Sequence, residues 1–507
     1  MSSMLLDYQV RKLSESIEGI REQDLVFYNT LPYTRDDVYQ VSVSTKARHF
    51  RIVDEAGCEV VYDCLGTQRV YSGSIRRDPS VYDEDLYYYQ SDIRIAMTMK
   101  PMSMRILHLE ACEHTEQLQE CSALENTFYK ITMENGSLRL LNKANGKVVE
   151  DFLYVEDSGD EGDTYDYSWP AHDHIYTLHF QDAQAEWKHG ALADTLVLQE
   201  RVDGKCSQDI AYTLCIQLHQ ASDVLQCEMT IDNTAMEHRM RVILRGLSSS
   251  SCSIADTPFG TIQRAHDPKH MEDWKEAGYR EEPTPIYPML HHVSNGTNQV
   301  LTCFCKGIKE YEILKHTDIA LTLFRSVPLL GRPDLNRRPG IASGNEFKYI
   351  PTPKSELRQT MSFSFALCLR NGYDAMEVQK TWLRYANDVL FYQLQEVNRF
   401  VNTQKYFVTH PYPNAVKPLH SAILNMDKSD CLQFSSLYPL DDKQAILRVY
   451  NSRNEMVKED SLCYTGETIQ QTNMLHEPIA DCEAEQHPVT LSNIQPEEIR
   501  TYKIIVK

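Results

Sequence analysis

The sequence lacks any apolar run of about 18 residues, the length that an α-helix needs to cross a bilayer. Its N-terminal segment, MSSMLLDYQVRKL, reaches Asp7 after only a short apolar run, so it lacks the apolar stretch of a signal peptide. Membrane insertion and secretion are therefore not expected.

Positive charge is also scarce. The 507 residues include 51 lysines and arginines against 72 aspartates and glutamates, which gives a formal net charge of −21. Because nucleic acids and anionic membranes bind basic surfaces, neither is expected as the main partner. Hydrophobic residues make up 42% of the chain, which is ordinary for globular proteins and excludes wholesale disorder. This balance favours a soluble protein with a neutral or small substrate.

The cysteines form no recognisable framework. The 14 cysteines are scattered, and the close pairs Cys58 with Cys64 and Cys303 with Cys305 match neither zinc-ribbon nor thioredoxin spacing. Unpaired thiols are typical of a reducing compartment, so the sequence predicts a cytoplasmic protein.

Signatures of common catalytic sites are missing as well. There is no Gly-rich phosphate loop, G-x-S-x-G elbow, Cys/His nucleophile signature or H-E-x-x-H zinc motif. Composition and spacing alone therefore nominate no catalytic residue.

The most unusual stretch is the acidic segment, residues 154–170, YVEDSGDEGDTYDYSWP. Five of its six carboxylates cluster around Gly159 and Gly162, and they are Asp157, Asp160, Glu161, Asp163 and Asp166. Counted from Asp157 as a calcium loop, the segment has a glycine at position three and Ser168 at position twelve, where a bidentate Glu is needed. The calcium interpretation therefore fails. A solvated acidic turn is the simpler interpretation of the segment. A loop that faces a carbohydrate is the third interpretation.

Three aromatic residues follow the carboxylates. Tyr165, Tyr167 and Trp169 alternate with a period of two. They would share one face if this part of the segment is a strand.

Two further polar clusters are candidates for binding. His172 and His174 would share a strand face as an H-x-H pair, a spacing that zinc sites use, although ordinary polar strand positions explain them more simply. Asp334, Arg337 and Arg338 lie among glycines and prolines. The two arginines could bind a carboxylate bidentately, but internal salt bridges are the commoner use of such a loop.

Helical periodicity is confined to two places. Leu6, Val10, Leu13, Ile17 and Ile20 draw an apolar seam along a helix predicted from about residue 3 to 22. That seam packs either on other helices or on the following β domain. A second helix is predicted over residues 374–390, with Asp374 as its N-cap.

Elsewhere, short alternating runs predict strands. Asn135-Gly136 and Asn145-Gly146 each separate alternating apolar residues, which is a strong hairpin signal. Strand follows strand from about residue 116 to 375, which predicts a sandwich of two large sheets. The fold class is therefore mainly β, with a small β domain before the sandwich and a C-terminal β segment after it.

Several segments together resemble the C-terminal half of glycoside hydrolase family 38 α-mannosidases, in particular the bacterial mannosylglycerate hydrolase type. They occur in the family's order and span nearly the whole chain. They are VFYNTLPYTRDDV (26–38), LENTFYKITMENGSLRLLNKANGK (124–147), EDSGDEGDTYDYSWP (156–170), ADTPFGTIQR (255–264), ALTLFRSVPLLGRPDLNRRPG (320–340) and LRVYN (447–451).

The resemblance implies four parts. Residues 1–23 would be the remnant helix of a helical bundle, 24–115 a small β domain, 116–375 a mutarotase-like β-supersandwich, and 376–507 a helix plus a C-terminal β domain. In that family an N-terminal barrel holds one zinc ion and two carboxylates that act in a retaining mechanism, which needs them about 5 Å apart.

The family's H-x-D-x-x-W start, nucleophile segment and H-D-S zinc motif are absent from this sequence. The resemblance therefore transfers no catalytic residue and no metal ligand, and zinc is expected in the missing catalytic domain. It does place a substrate-binding tyrosine at Tyr165.

The expected function is the C-terminal part of an α-mannosidase, inactive alone. The expected partners are an α-mannoside-type carbohydrate, a separate N-terminal catalytic polypeptide and further copies of this chain. The alternatives are a free-standing sugar epimerase of the mutarotase type, for which no His and Glu pair is identifiable, and a carbohydrate-binding module.

Overall fold

The computed structural model describes residues 2–71, 86–202, 210–340, 349–395, 397, 412–420, 423–479 and 489–505. These residues form mainly β-strands, as predicted. They include two α-helices, α1 (Ser2–Glu15) and α2 (Ala375–Ala386), and a short 3₁₀ helix at Pro353–Glu356.

In chain order, the first six strands are β1 (Asp24–Tyr28), β2 (Arg35–Thr45), β3 (Phe50–Asp54), β4 (Tyr62–Tyr71), β5 (Tyr87–Met99) and β6 (Met104–Ala111). The next twenty-two are β7 (Gln119–Glu120), β8 (Leu124–Glu125), β9 (Tyr129–Glu134), β10 (Ser137–Asn142), β11 (Lys147–Val149), β12 (Leu153–Gly159), β13 (Tyr176–Leu178), β14 (Gln184–His189), β15 (Ala193–Arg201), β16 (Ile210–His219), β17 (Leu225–Asn233), β18 (His238–Leu244), β19 (Cys252–Thr257), β20 (Gly260–Ala265), β21 (Ile286–Pro288), β22 (His292–Asn295), β23 (Val300–Lys306), β24 (Glu310–Leu314), β25 (Asp318–Ser326), β26 (Leu329–Leu330), β27 (Ile350–Pro351) and β28 (Thr360–Arg370). The last eight are β29 (Leu390–Gln393), β30 (Leu424–Asn425), β31 (Leu432–Pro439), β32 (Gln444–Asn451), β33 (Val457–Tyr464), β34 (Thr468–Thr472), β35 (Val489–Ile494) and β36 (Ile499–Ile505).

The chain divides into two compact units. Unit 1 comprises residues 1–119, 190–192 and 379–507, and unit 2 comprises residues 120–189 and 193–378. The four-part division expected from the sequence stays a prediction.

Unit 1 carries α1 on a four-stranded sheet of order β29-β1-β6-β3. Ile17 is 3% exposed and packs with Val26 and Ile106, and Val10 and Leu13 lie against the same cluster. Of the two readings of the seam, packing on the β domain is therefore the one observed. The helix is shorter than predicted.

Hydroxyl groups explain the early end of α1. The Ser14 and Ser16 hydroxyls donate to the carbonyls of Val10 and Lys12 inside the helix. Beyond it, the Ser16 carbonyl accepts from the amide of Val416 at 2.8 Å. The backbone thus leaves helical pairing for a bridge at Ile17 and Val416.

Unit 2 is the predicted sandwich. A ten-stranded sheet of order β20-β19-β22-β23-β28-β17-β16-β15-β14-β7 and a six-stranded sheet of order β13-β12-β18-β25-β24-β21 contribute to one continuous apolar core. Strand β16 alternates buried and half-buried residues, whereas β18 is buried at every position. The outer face of the six-stranded sheet is therefore covered as well.

Local signals behave as predicted. Asn135 and Gly136 have φ values of 50° and 81° in the turn between β9 and β10, as a type I′ hairpin requires. A side chain at Gly136 would meet the backbone of Gln181 at 2.4 Å. Asp374 caps α2 by accepting from the amides of Met376 and Glu377 at 2.8 and 3.0 Å.

No described helix is long and apolar enough to cross a membrane.

Candidate functional site

The acidic segment begins as a strand. Residues up to Gly159 belong to β12, which pairs with β13 on one side and β18 on the other. The residues that follow form a coil without regular structure. Side chains alternate along β12, so Glu156 and Asp157 point to opposite faces of the sheet.

Charged side chains cover part of the outer face of the six-stranded sheet. Glu156 lies opposite Arg241 in the register of β12 and β18. Arg241 Nε donates to Glu156 at 2.9 Å, and its guanidinium also binds Glu312 of β24. Arg241 and Glu156 are 5% and 7% exposed. Mutual pairing is what makes such burial of charge tolerable.

Asp160 leads the coil and is fully buried. Arg325 of β25 binds it bidentately, with Nε to Oδ2 at 2.7 Å and Nη2 to Oδ1 at 3.2 Å. The same Nη2 donates to the carbonyls of Asp163 and Asp166 at 3.0 and 2.6 Å. One arginine therefore fixes both the carboxylate and the backbone of the coil.

Asp163 is the second buried carboxylate that holds the coil in place. Its Oδ1 accepts from the amides of Tyr165 and Asp166 at 2.9 and 3.0 Å. Its Oδ2 accepts from the amide of Arg332 at 2.6 Å and from the guanidinium of Arg338. Asp163 is fully buried, so this carboxylate joins two loops inside the protein.

The structure thus brings together two clusters that the sequence presented separately. Arg337 donates to the carbonyls of Tyr167 and Glu282 at 3.2 Å each and lies 3.6 Å from the Asp166 carboxylate. Arg337 and Arg338 hold the acidic segment, which is the internal use that such loops commonly have. Asp334 stands apart, closing its own loop by accepting from the amide of Gly340 at 2.8 Å.

The reading of the segment as a solvated turn is wrong. Asp157, Asp160 and Asp163 are all buried. Asp157 Oδ1 lies 2.6 Å from Nδ1 of His238, whose Nε2 lies 3.1 Å from Asn233. Every one of these carboxylates has a cationic or hydrogen-bonding partner inside the unit, because an unpaired buried charge would be too costly.

The three aromatic residues do not share a face. Tyr165 is 60% exposed and Trp169 is 39% exposed, whereas Tyr167 is 8% exposed. Tyr167 covers Arg239, whose guanidinium carbon lies 3.5 Å from the ring centroid. Side chains spaced two residues apart share a face only in a strand, and residues 160–170 form a coil that Arg325 and Arg338 hold in place. The condition for a shared face of the three rings is therefore not met.

Comparison with known proteins places this site in a family. Residues 124–328, which contain the acidic segment and Arg325, match the model of the glycosyl hydrolases family 38 C-terminal domain. The chain carries a family 38 C-terminal domain.

Individual proteins match more of this chain than residues 124–328. The "Putative mannosylglycerate hydrolase" of Halalkalibacterium halodurans is 27% identical over 334 residues, which cover 59% of this chain and 36% of that protein. Crystal structures of an alpha-mannosidase from Enterococcus faecalis V583 and of a Glycosyl Hydrolase Family 38 protein from Enterococcus faecalis have TM-scores of 0.73 and 0.72, each at 18% identity over 99% of this chain. This likeness concerns the fold. The chain spans about a third of the curated relative and about three fifths of the two solved chains.

The sequence pattern alone did not single out three functional-site arginines of the family 38 domain. Arg239, Arg241 and Arg325 lie in mostly buried strands that are rich in apolar residues, HRMRVIL and DIALTLFRS. Guanidinium groups in buried strands need acidic partners, and a cluster of five carboxylates stands in the same sequence. Arginines in these strands, together with the carboxylate cluster, could have indicated the buried ion pairs from the sequence.

Arg239 differs from the other two arginines. It is 4% exposed, and its Nε and Nη1 have no hydrogen-bond partner. Burial, followed by the charge of Arg241, lowers its pKa from the ordinary value. Contact with the Tyr167 ring is what supports the charge.

The predicted H-x-H pair is not formed on a strand. His172 and His174 precede β13 and are both exposed, and His174 packs edge-on against Tyr176 at 4.3 Å between ring centroids. Among the described residues no group of three or more His, Cys, Asp or Glu side chains converges as a metal ion would require.

Proposed function

We propose that this chain is the C-terminal β part of a retaining, zinc-dependent α-mannosidase that hydrolyses an α-mannoside or mannosylglycerate. The observation that carries the proposal is the family 38 match over residues 124–328. The names of two relatives, a mannosylglycerate hydrolase and an alpha-mannosidase, support a mannose-containing glycoside as the substrate.

In this proposal the chain does not hydrolyse glycosides alone. A retaining mechanism needs a carboxylate nucleophile and an acid about 5 Å apart. The buried carboxylates Asp160 and Asp163 are committed to Arg325 and Arg338, so neither is available for that chemistry. The described residues also provide no set of zinc ligands of the expected kind. Following the family resemblance, we assign the catalytic carboxylates and the zinc to a separate N-terminal polypeptide.

Tyr165 is the residue of this chain assigned to the sugar. Its side chain is 60% exposed, while its amide donates to Asp163 at 2.9 Å. The backbone is thus fixed beneath a free phenol. A phenolic hydroxyl can both donate to and accept from a sugar hydroxyl, and the ring offers an apolar face to sugar C–H groups. Tyr165 would orient the substrate and take no part in bond cleavage.

A groove in unit 1 is assigned to the catalytic polypeptide. It has a volume of about 450 Å³ and is lined by apolar side chains that include Leu6, Val10 and Leu13 of α1. Met4 and Leu5, next to it, are 57% and 60% exposed. The solved relatives contain further chain, since this chain covers 58% and 61% of them. A polypeptide that supplies the remaining part would bury this surface.

Self-association is assigned to the same surface when the catalytic polypeptide is absent. Met4, Leu5 and Leu6 are three consecutive exposed apolar residues at the start of α1. Burial of such side chains is worth about 1.5–3 kcal/mol each, so two copies gain by covering them. Binding of the catalytic polypeptide would then compete with homo-oligomer formation.

A cytoplasmic location is part of the proposal. The twelve cysteines within the described residues form no disulfide bonds. Reduced thiols in this number are typical of proteins in a reducing compartment.

A carbohydrate-binding module without a catalytic partner is the second candidate. The exposed rings of Tyr165 and Trp169 are the observation that favours it, because sugar-binding surfaces use such rings. It differs from the main proposal in requiring no second polypeptide.

Activity assays separate these functions. The purified chain is assayed with an aryl α-mannoside and with mannosylglycerate, with and without zinc, alone and mixed with an N-terminal catalytic polypeptide. That polypeptide comes from an adjacent reading frame encoding H-x-D-x-x-W and H-D-S, or from the mannosylglycerate hydrolase relative. We expect no turnover alone and turnover that saturates at one chain per catalytic polypeptide. Zinc-dependent turnover by this chain alone would refute the proposal, and sugar binding without restored activity would favour the module.

A further inference from the structure

Two histidine rings of unit 2 face each other away from the acidic segment. His266 follows the last residue of β20, and His316 lies in the turn between β24 and β25. Their Nδ1 atoms are 3.4 Å apart, and the ring centroids are 5.5 Å apart. His266 is buried at 5% exposure, whereas the His316 side chain is half exposed.

The turn that holds His316 is unusual. Lys315 and His316 have φ values of 51° and 61°, and the Thr317 amide donates to the Leu314 carbonyl at 3.1 Å. Both central positions of such a turn normally carry Asn or Gly, which accept left-handed φ without strain. A histidine is kept in this strained conformation only when its surroundings enforce it.

Hydrogen bonds enforce the position of His316. Its carbonyl accepts from the Ser250 amide at 3.1 Å and from Asn295 Nδ2 at 3.2 Å. The turn is therefore pinned to two neighbouring segments. The imidazole of His316 is held opposite His266 before any ligand arrives.

The outer nitrogen of His316 faces an oxygen atom, since His316 Nε2 lies 3.7 Å from Oδ2 of Asp267. Within the part of the chain that the structure describes, His266 Nε2 and Asn295 Oδ1 are buried without a hydrogen-bond partner. With a proton on each Nε2, the two Nδ1 atoms would present lone pairs to each other.

Two lone pairs at this separation repel unless a proton or a metal ion lies between them. Neutral imidazole is the form that binds metals.

We propose that His266 and His316 bind a divalent transition-metal ion through their Nδ1 atoms. Two imidazole nitrogens at 2.0–2.1 Å from a tetrahedral zinc ion lie about 3.3–3.4 Å apart, and the observed separation is 3.4 Å. Asn295 and Asp267 would orient the two rings from their outer nitrogens, as partners of metal-bound histidines commonly do.

The protein supplies two ligands to this ion. No third His, Cys, Asp or Glu among the described residues converges on the pair, so water completes the coordination. A site with two nitrogen ligands and solvent binds weakly and exchanges its ion. It should prefer copper and nickel over cobalt, following the general order of affinities for nitrogen sites.

Metal titration tests the proposal. The full chain is stripped with a chelator and titrated with Co²⁺, whose visible absorption reports coordination, and the bound Co²⁺ is then displaced by Ni²⁺ or Zn²⁺. We expect one Co²⁺ per chain. His316→Asn removes the imidazole while keeping a residue that accepts left-handed φ, so the fold should survive and the affinity should fall at least tenfold.

Two control variants have matched chemistry. His270→Asn changes another exposed histidine with a left-handed φ of 65°, and it should bind Co²⁺ like the unmodified chain. The double variant His172→Gln with His174→Gln removes the H-x-H pair and should also bind normally. Absence of stoichiometric binding in the unmodified chain, or undiminished binding in His316→Asn, would overturn the proposal. A pair that only shares a proton would give the first of these results.

Discussion

Asp160 and Arg325 form a bidentate ion pair between positions 165 residues apart in the sequence, and Asp160 is fully shielded from solvent. The pair ties the coil of the acidic segment to the C-terminal end of β25, an inner strand of the six-stranded sheet. Because the same guanidinium holds two carbonyls of the coil, the segment is a fixed support for Tyr165.

Removing the charge of Asp160 should destabilise unit 2. Asp160→Asn leaves the Arg325 side chain, which is 15% exposed, without its fully buried counter-charge, and this should cost about 3 kcal/mol, the lower end of the usual range for a broken buried pair. Urea denaturation measures the free energy of unfolding. Glu161→Gln is the matched control, since its side chain is half-buried beside Asp160, and it should change stability by less than about 0.5 kcal/mol. Equal effects of the two variants would contradict the role given to the ion pair.

Two tyrosines of the acidic segment should differ sharply in their contribution to stability. Tyr167→Ala removes a buried ring from the Arg239 guanidinium and should cost about 3 kcal/mol or more. Tyr165→Ala removes a side chain that is 60% exposed and should stay within about 0.5 kcal/mol of the parent. Thermal denaturation of the two variants measures this difference. A large loss in Tyr165→Ala would make Tyr165 a packing residue.

Self-association should respond to the exposed start of α1 and not to its packed end. Leu5→Glu places a charge on a side chain that is 60% exposed, so the protein should become more monodisperse in analytical ultracentrifugation with its stability retained. Ile17→Glu puts the charge among Val26 and Ile106 and should lower the free energy of unfolding by about 2–5 kcal/mol. The apolar seam predicted from the sequence also contains Ile17, but this residue is 3% exposed, so changing it tests packing and not association. If Leu5→Glu leaves association unchanged, the surface is misassigned.

Acid should weaken unit 2 through Asp256. Burial raises the pKa of Asp256, but hydrogen bonds from the His291 side chain and from the His291 and His292 amides, with the charge of His292, more than offset this, so the pKa lies below its ordinary value. The unfolded chain then binds more protons than the folded chain in this range. The stability that Asp256 contributes is complete above its unfolded pKa of about 3.9 and is lost as the pH falls through the lower folded value.

The pH dependence of unfolding checks this sign. The stability difference between the parent and Asp256→Asn should shrink as the pH falls below about 4. A difference that grows on acidification would show that the Asp256 pKa is raised.

Local sequence signals predicted much of the fold. Asn135-Gly136 formed its hairpin and Asp374 capped α2, because both signals act within a few residues. The end of α1 was misplaced because the apolar periodicity continues to Ile20, while Ser14 and Ser16 redirect the backbone toward Val416. Periodicity reports which residues are apolar and carries no information about that distant bridge.

The candidate site was less predictable. The acidic segment was selected correctly, but its burial depends on Arg325 and Arg338, which are more than 160 residues away in the sequence. Clustered carboxylates look solvated until their counter-charges are located. Tyr165 was singled out by resemblance, and its role at the substrate stays a prediction.

The central claim is that the acidic segment holds Tyr165 in position to bind the substrate. Its most direct test is the kinetics of Tyr165→Phe in the reconstituted two-polypeptide enzyme. Loss of the phenolic hydroxyl should lower kcat/KM for the mannoside about two- to tenfold, since one hydrogen bond is worth about 0.5–1.5 kcal/mol, while the free energy of unfolding stays unchanged. Tyr279→Phe, at a tyrosine 51% exposed in the same unit, is the control and should leave both quantities unchanged. Unchanged kcat/KM in Tyr165→Phe, or a stability loss of several kcal/mol with normal kinetics, would contradict the account.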